Sequence, residues 1–345
     1  MERMFITEEN LKVLVKNLKK DCDEFIAPRR EHLDEIIFGD TKADAETLLS
    51  FDGNSTVSPK AFLLPQTEVL FEITSAKDCD LVPEEDKRRR IFYGVRPCDI
   101  KALTLMRKFF VDESADQPYQ QKLQNSIFIA LSCNQRCSDK SFCFEMSAGP
   151  FAKEGFDLQL TKIEKGYMAE IGSTPGAKII LRHKKLFSKA APAHREEVEK
   201  ITEDFAKDLT RLDYKRLAGI MEQEKIKESV WDDLGLRCVV CSGCITLCPT
   251  CSCFSIADRL NANKGVRLRY CDGCPYAGFT RMAGGSTPYP GHKDHIRRFF
   301  EHKLNVDVGR YGTPSCVGCG RCIGTCPGNI SIRKFIDDAM EASIE

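Results

Sequence analysis

The stretch CVVCSGCITLCPTCSC, Cys238 to Cys253, places six cysteines in sixteen residues, and a second run, CVGCGRCIGTCP, follows at residues 316–327. Each contains C-x2-C-x2-C-x3-C-P: Cys238, Cys241, Cys244, Cys248 and Pro249 in one, Cys316, Cys319, Cys322, Cys326 and Pro327 in the other. What these thiols hold decides the fold of everything from Trp231 onward. Twelve of the eighteen cysteines lie between Cys238 and Cys326. In a reducing compartment, thiols clustered at this spacing point to metal rather than to disulfides.

The spacing is the bacterial ferredoxin run, in which three thiolates take one [4Fe-4S] cluster and the fourth crosses to the other. A cubane offers one iron to each thiolate. Two intervening residues let a tight turn aim three consecutive thiolates at three corners, and proline after the last cysteine stops any helix begun there. The assignment is therefore Cys238, Cys241, Cys244 and Cys326 for one cluster, and Cys316, Cys319, Cys322 and Cys248 for the other. Zinc sites more commonly use two cysteine pairs or mix in histidine. Small residues at Ser242, Gly243, Gly318 and Gly320 suit a close approach of backbone N–H groups to cluster sulfur.

Two further thiol sets stand outside the runs. Cys251, Cys253, Cys271 and Cys274 fall in an insert, residues 250–315. They suit another cluster, zinc or simple packing, and spacing alone does not choose. Cys98, Cys133, Cys137 and Cys143 lie in the N-terminal half. Cys98 follows the apolar run IFYGV and Cys133 closes SIFIAL, so both stand just past expected strand ends, where α/β sheets place ligands. A further [4Fe-4S] cluster is expected there, with buried or free thiols as the alternative. Cys22 and Cys79 have no thiol neighbours and are read as ordinary residues.

At 345 residues the chain is long enough for two or three domains, and 51 Lys plus Arg balance 51 Asp plus Glu, so no overall field attracts nucleic acid or an anionic membrane. No stretch suits a transmembrane span or a signal peptide, and a cytoplasmic location is expected. The expected fold class is α+β. An N-terminal α/β domain spans 1–190, opening with an amphipathic helix at 7–25 capped by Thr7. Short apolar runs follow, AFLLP, EVLFEI, IFYGV, SIFIAL, FDLQL, YMAEI and KIILR, with a helix at 99–110. Residues 191–230 read as a charge-rich helical linker. Residues 231–345 form the ferredoxin-like part with its insert, poor in apolar runs and dependent on metal for stability. The basic stretch HKDHIRRFFEHK, residues 292–303, reads as an amphipathic helix with Ile296, Phe299 and Phe300 inward. No G-x-G-x-x-G follows an expected strand and no G-x4-G-K-[ST] is present, so flavin, nicotinamide and nucleotide sites have no support here.

In combination, SPKAFLLPQTEVLFEI, GVRPCDIKAL, FCFEMSAGPF, CPTCSCF, GFTRMAGG and CVGCGRCIGTCP resemble the dicluster iron-sulfur family. It contains the beta subunit of archaeal sulfhydrogenase and its counterpart in anaerobic sulfite reductase. The resemblance spans nearly the whole chain. It implies an electron-transfer subunit that receives electrons from a flavin-containing subunit, passing them to a catalytic redox subunit carrying nickel-iron, siroheme or a similar centre. Within it the eight ferredoxin-type cysteines match, as do Cys98, Cys133, Cys143, Cys251, Cys253 and Cys274. Two departures stand out. The family tends to have C-F-C where this chain has Ser141-Phe142-Cys143, leaving Cys137 as the replacement thiol, and it usually has Trp where Cys271 stands. The rival readings are a catalytic reductase with an open-site cluster and a structural or regulatory role for the clusters.

Overall fold

The Thr7 hydroxyl accepts the Asn10 N–H at 3.2 Å, starting helix α1 (Glu8–Leu18) after strand β1 (Arg3–Ile6). Its Leu11, Leu14, Val15 and Leu18 recur at helical spacing and are buried, each contributing about 1.5–3 kcal/mol of apolar burial. The computed structural model describes residues 3–31, 35–41, 53–75, 80–83, 85–207, 211–261 and 264–341. Cys79 lies outside them. The chain divides into two units, Met1–Leu63 with Glu85–Arg211 and Leu64–Glu84 with Leu212–Glu345.

In the first unit, β2 (Glu24–Arg30) and β3 (Ile36–Asp40) precede a stretch that belongs to the other unit and carries β4 (Thr67–Ser75) and β5 (Asp80–Pro83). The chain then continues with β6 (Arg90–Val95), α2 (Pro97–Arg107), α3 (Gln117–Gln124) and β7 (Ser126–Leu131). After these come β8 (Leu158–Ile163), β9 (Gly166–Ile171), α4 (Thr174–Arg182), β10 (Ser188–Lys189) and α5 (Pro192–Lys207). The sheet runs β10-β1-β9-β8-β7-β6-β2-β3. Its four central strands, β8, β7, β6 and β2, are parallel neighbours, and the outer strands pair antiparallel. Alternation along β6 sends Ile91 and Tyr93 into a core with α1 and α4 residues. On β6 and β7, Phe92 and Phe128 stack at 4.9 Å.

KIILR was expected as an extended run, and the chain makes it helix α4 instead. Ser173 accepts the Gly176 N–H at 3.2 Å and Pro175 sits in the first turn, so start signals outweigh the β-branched residues. The helix expected at 99–110 starts earlier, at Pro97, and passes into a π turn at Lys108–Glu113. Within residues 191–230 the chain makes α5, α6 (Tyr214–Glu222) and the start of α7 (Glu228–Arg237). The first of these lies in the first unit and the other two in the second. On α5, Val198 packs with Ile163 and Met168, and Phe205 lies 4.4 Å from Phe144.

The second unit holds α6, α7, the short helix α8 (Gly243–Thr246), the hairpin β11 (Phe254–Asn261) and β12 (Lys264–Cys271), and α9 (His292–Glu301). A π turn at His302–Val306, α10 (Asp307–Tyr311), α11 (Arg321–Thr325) and α12 (Ile332–Glu341) complete it. EVLFEI, expected in the N-terminal domain, is β4 of an antiparallel sheet ordered β11-β12-β4-β5. The insert hairpin thus pairs with a strand some two hundred residues earlier, and Arg269 Nε reaches Glu68 Oε2 at 2.6 Å. The C-terminal part also has an apolar cluster of its own. Trp231 meets Phe335 at 5.1 Å and Phe300 at 6.3 Å, Phe300 meets Phe335 at 4.4 Å, and Ile296, Leu304, Ile332 and Ile336 are buried.

Candidate metal centre

The two thiol runs share one backbone device. In the first, Val240 (φ 53°) and Ser242 (φ 65°) are left-handed, and in the second the equivalent positions are Gly318 (φ 66°) and Gly320 (φ 77°). Each run thereby turns twice and then enters a single helical turn, α8 or α11. Glycine takes this conformation at no steric cost. A β-branched residue there is an outlier and stores about 1–3 kcal/mol. Gly243 serves a different purpose from the turn: a Cβ on it would stand 2.8 Å from Thr325 Cγ2, so its absence lets the two short helices approach.

The fold brings the thiols together across the runs. Cys238 lies beside Cys326 and Cys241, and Cys244 has Cys248, Cys238, Cys241 and Cys326 as neighbours. On the other side, Cys322 faces Cys316, Cys319, Cys248 and Cys244, and Cys316 faces Cys319 and Cys248. Cys326 thus lies with Cys238, Cys241 and Cys244, Cys248 lies near Cys316 and Cys322, and Cys244, which also neighbours Cys248, sits where the two sets adjoin. Cys238, Cys241, Cys244, Cys322 and Cys326 line one cavity, walled otherwise by Ser242 and apolar side chains that include Val240, Phe299, Phe300 and Ile332.

Donors to sulfur are in place around both sets. The Val240 N–H donates to Cys238, Gly318 N–H to Cys316, and Ile330 N–H to Cys326 Sγ at 3.4 Å. Burial, with the neighbouring thiols adding, pushes Cys244 up to about 12. Burial also pushes Cys316 up to about 12, although Gly318 and Lys303 oppose it, and raises Cys238 and Cys322. A metal ligand must be a thiolate, so loading these sites releases protons, and bound iron supplies the positive charge that burial denies them. Among the described residues, no three His, Cys, Asp or Glu side chains converge closely enough for a single metal ion. Zinc needs each sulfur at about 2.3 Å. The C-x2-C-x2-C-x3-C-P spacing of both runs is that of a polynuclear cluster.

In the insert, Cys253 and Cys274 hydrogen-bond to each other, and Cys274 also bonds to His302. The pair shares a proton: the bond to Cys253, helped by His302 and Arg298, holds Cys274 well below the usual thiol range, while the same bond and burial raise Cys253. Cys271 directs its thiol at the Pro65 carbonyl, 3.7 Å away. Cys251 lies beside the Lys303 ammonium.

Residues 237–330 match the sequence model of the 4Fe-4S dicluster domain. This part of the chain carries a 4Fe-4S dicluster domain. Across most of its length the chain is also similar to Sulfhydrogenase 2 subunit beta of Pyrococcus furiosus. The two are 27% identical over 300 residues, 86% of this chain and 87% of that protein. Iron-sulfur clusters are accordingly the cofactors of the dicluster domain, and its eight run cysteines fit them in number, spacing and arrangement. No helix among the described residues is long and apolar enough to cross a membrane.

Outside the dicluster domain, Cys98 is in the first turn of α2, two residues after Arg96, and Cys133 lies just past β7. Because β6 and β7 are parallel neighbours, both thiols stand at the same edge of the sheet, and both are buried. Arg96 ties the two loops together, donating to the Ser132 carbonyl at 3.3 Å. The Cys133 N–H donates to the Pro150 carbonyl at 3.0 Å, and the Ala148 N–H to the Cys143 carbonyl at 2.8 Å. Cys143 is buried and Cys137 is half-buried on the same loop, where Arg136 pairs with Glu145 at 2.8 Å.

Three residues at the dicluster domain were not legible as site residues: Thr250, His302 and Lys303. The basic stretch 292–303 was read as a helix with Ile296, Phe299 and Phe300 inward, and all three are buried on α9. Its last two residues instead open the π turn, a geometry that often marks functional positions, and face the thiols. Periodicity carries no sign of that change.

Proposed function

We propose that this chain is an electron-transfer subunit of a larger redox complex. Its first [4Fe-4S] cluster is held by Cys238, Cys241, Cys244 and Cys326, and its second by Cys316, Cys319, Cys322 and Cys248. A third is held by Cys98, Cys133, Cys137 and Cys143. Electrons come from a flavin-containing subunit that oxidises a nicotinamide or another carrier and leave to a catalytic subunit. The observation that supports this reading is the placing of Cys326 beside Cys238 and of Cys248 beside Cys316 and Cys322.

Each bound cluster supplies a site that gains and loses one electron. The residues of the chain do the rest. The apolar side chains around Cys238 and Cys326 shield that set from water in part, Cys241 being exposed, and the N–H groups of Val240, Gly318 and Ile330 favour added negative charge on the sulfurs. Adjoining thiol sets, meeting at Cys244, keep the two redox sites within short electron-hopping range.

Iron per chain in anaerobically purified protein tests the reading. About twelve irons are expected, about eight if only the dicluster domain is loaded and about sixteen if the insert holds a cluster as well. About four or none overturns the reading. The insert supports a second reading: with Cys271 turned to Pro65, Cys251, Cys253 and Cys274 leave an incomplete thiol set, the arrangement an open-site catalytic cluster needs. Turnover of a small oxidant by the isolated chain with a reduced dye would favour that reading. Inactivity until a partner is added favours the relay.

A further inference from the structure

Lys303 is 4% exposed, and an ammonium so deeply buried needs anionic company. Its Nζ donates to Thr250 Oγ1 at 3.1 Å, and Thr250 Oγ1 is itself 3.2 Å from Cys248 Sγ. The other groups facing the ammonium are the thiols of Cys251 and Cys316 and the carboxyl of Asp307, with the Phe299 ring 5.5 Å away. Asp307 is shared, since His302 Nε2 lies 3.5 Å from it. The Lys303 carbonyl accepts the Ser315 N–H at 3.0 Å, which pins the π turn beside Cys316. Neutral thiols would compensate this charge poorly, whereas thiolates on a cluster carry the negative charge it requires.

We infer that Lys303 is a positioning residue that sets the reduction potential of the centre held by Cys248, Cys316, Cys319 and Cys322, raising it above that of the neighbouring centre. The inference rests on the proposed ligand sets. A reduced cluster carries one more negative charge than an oxidised one, so a fixed buried cation stabilises the reduced state. Thr250 links the ammonium to Cys248 and adds a hydroxyl contact to the same sulfur. All four thiols of the set around Cys238 and Cys326 line the apolar cavity, which Cys322 of the Lys303 set also reaches. The difference lets the Lys303 side hold an electron longer and gives the pair a direction.

The test is a redox titration, followed by EPR, of the full chain prepared anaerobically, with iron counted in parallel. K303M is expected to keep its iron while one midpoint potential falls, the one whose signal C316S removes; K303R is expected to stay near wild type. Full iron with both potentials unmoved overturns the inference, as does a shift confined to the other centre. Should K303M lose iron, T250V decides: a smaller fall at the same centre supports the role of Lys303, and no change overturns it. Wild-type protein without the paired centres would sink the ligand assignment instead, which keeps the two failures distinct.

Discussion

The two cysteine runs of the dicluster domain have nearly the same backbone and different costs. Run two takes its left-handed turns at Gly318 and Gly320, while run one takes them at Val240 and Ser242. The surroundings of the two ligand sets also differ: Cys238, Cys241, Cys244 and Cys326 line an apolar cavity, which Cys322 also reaches, while the Lys303 ammonium faces Cys248 and Cys316. A repeat that keeps its ligand geometry can therefore vary its strain and its charge. The first sets how firmly a run is held, and the second sets how readily its centre accepts an electron.

The largest effect expected is from C248S. Because Cys248 stands with the thiols of run two, its loss should remove about four irons per chain and leave the same residual EPR spectrum as C316S. C326S should resemble C238S. If C248S resembles C238S instead, the runs do not exchange ligands. Next is W231A, which empties the space beside Phe300 and Phe335. A loss of about 3–5 kcal/mol is expected by denaturant titration, and an unchanged midpoint would show that metal, not the aromatic cluster, holds this unit.

Smaller effects separate the turns themselves. G318V should cost about 1–3 kcal/mol, whereas V240G should be neutral or stabilising once strain relief is set against the flexibility that glycine adds to the unfolded chain. Equal losses at both positions would contradict the strain at Val240. The least is a pH effect. Folded-state values near 12 for Cys244 and Cys316, raised from 9.0 by burial, favour the protonated thiol in the folded chain. The stability of the cluster-free protein is then full below pH 9 and falls as pH rises toward 12. The iron-loaded protein, whose sulfurs are already deprotonated, should lack that fall in a series of melts.

Local features were legible in the sequence. Thr7 announced α1, IFYGV and SIFIAL became the parallel strands β6 and β7, and the x2-x2-x3 spacing identified the dicluster runs because the cube imposes it on adjacent residues. What stayed hidden was non-local. EVLFEI reads as a strand, but nothing in it tells that its partner is β12, since strand pairing over two hundred residues leaves no short-range pattern. Val240 was missed because the left-handed turn is normally marked by glycine, and the run supplies a valine. Lys303 looked like one more cation on a basic helix; only the π turn and the position of Thr250 reveal where it points.

The claim on which the rest depends is that two clusters stand side by side, joined by exchanged ligands. The EPR spectrum of the fully reduced wild-type protein tests it directly. Signals broadened and split by coupling between two neighbouring paramagnetic centres are expected. A simple, isolated signal from full-iron protein would contradict the account.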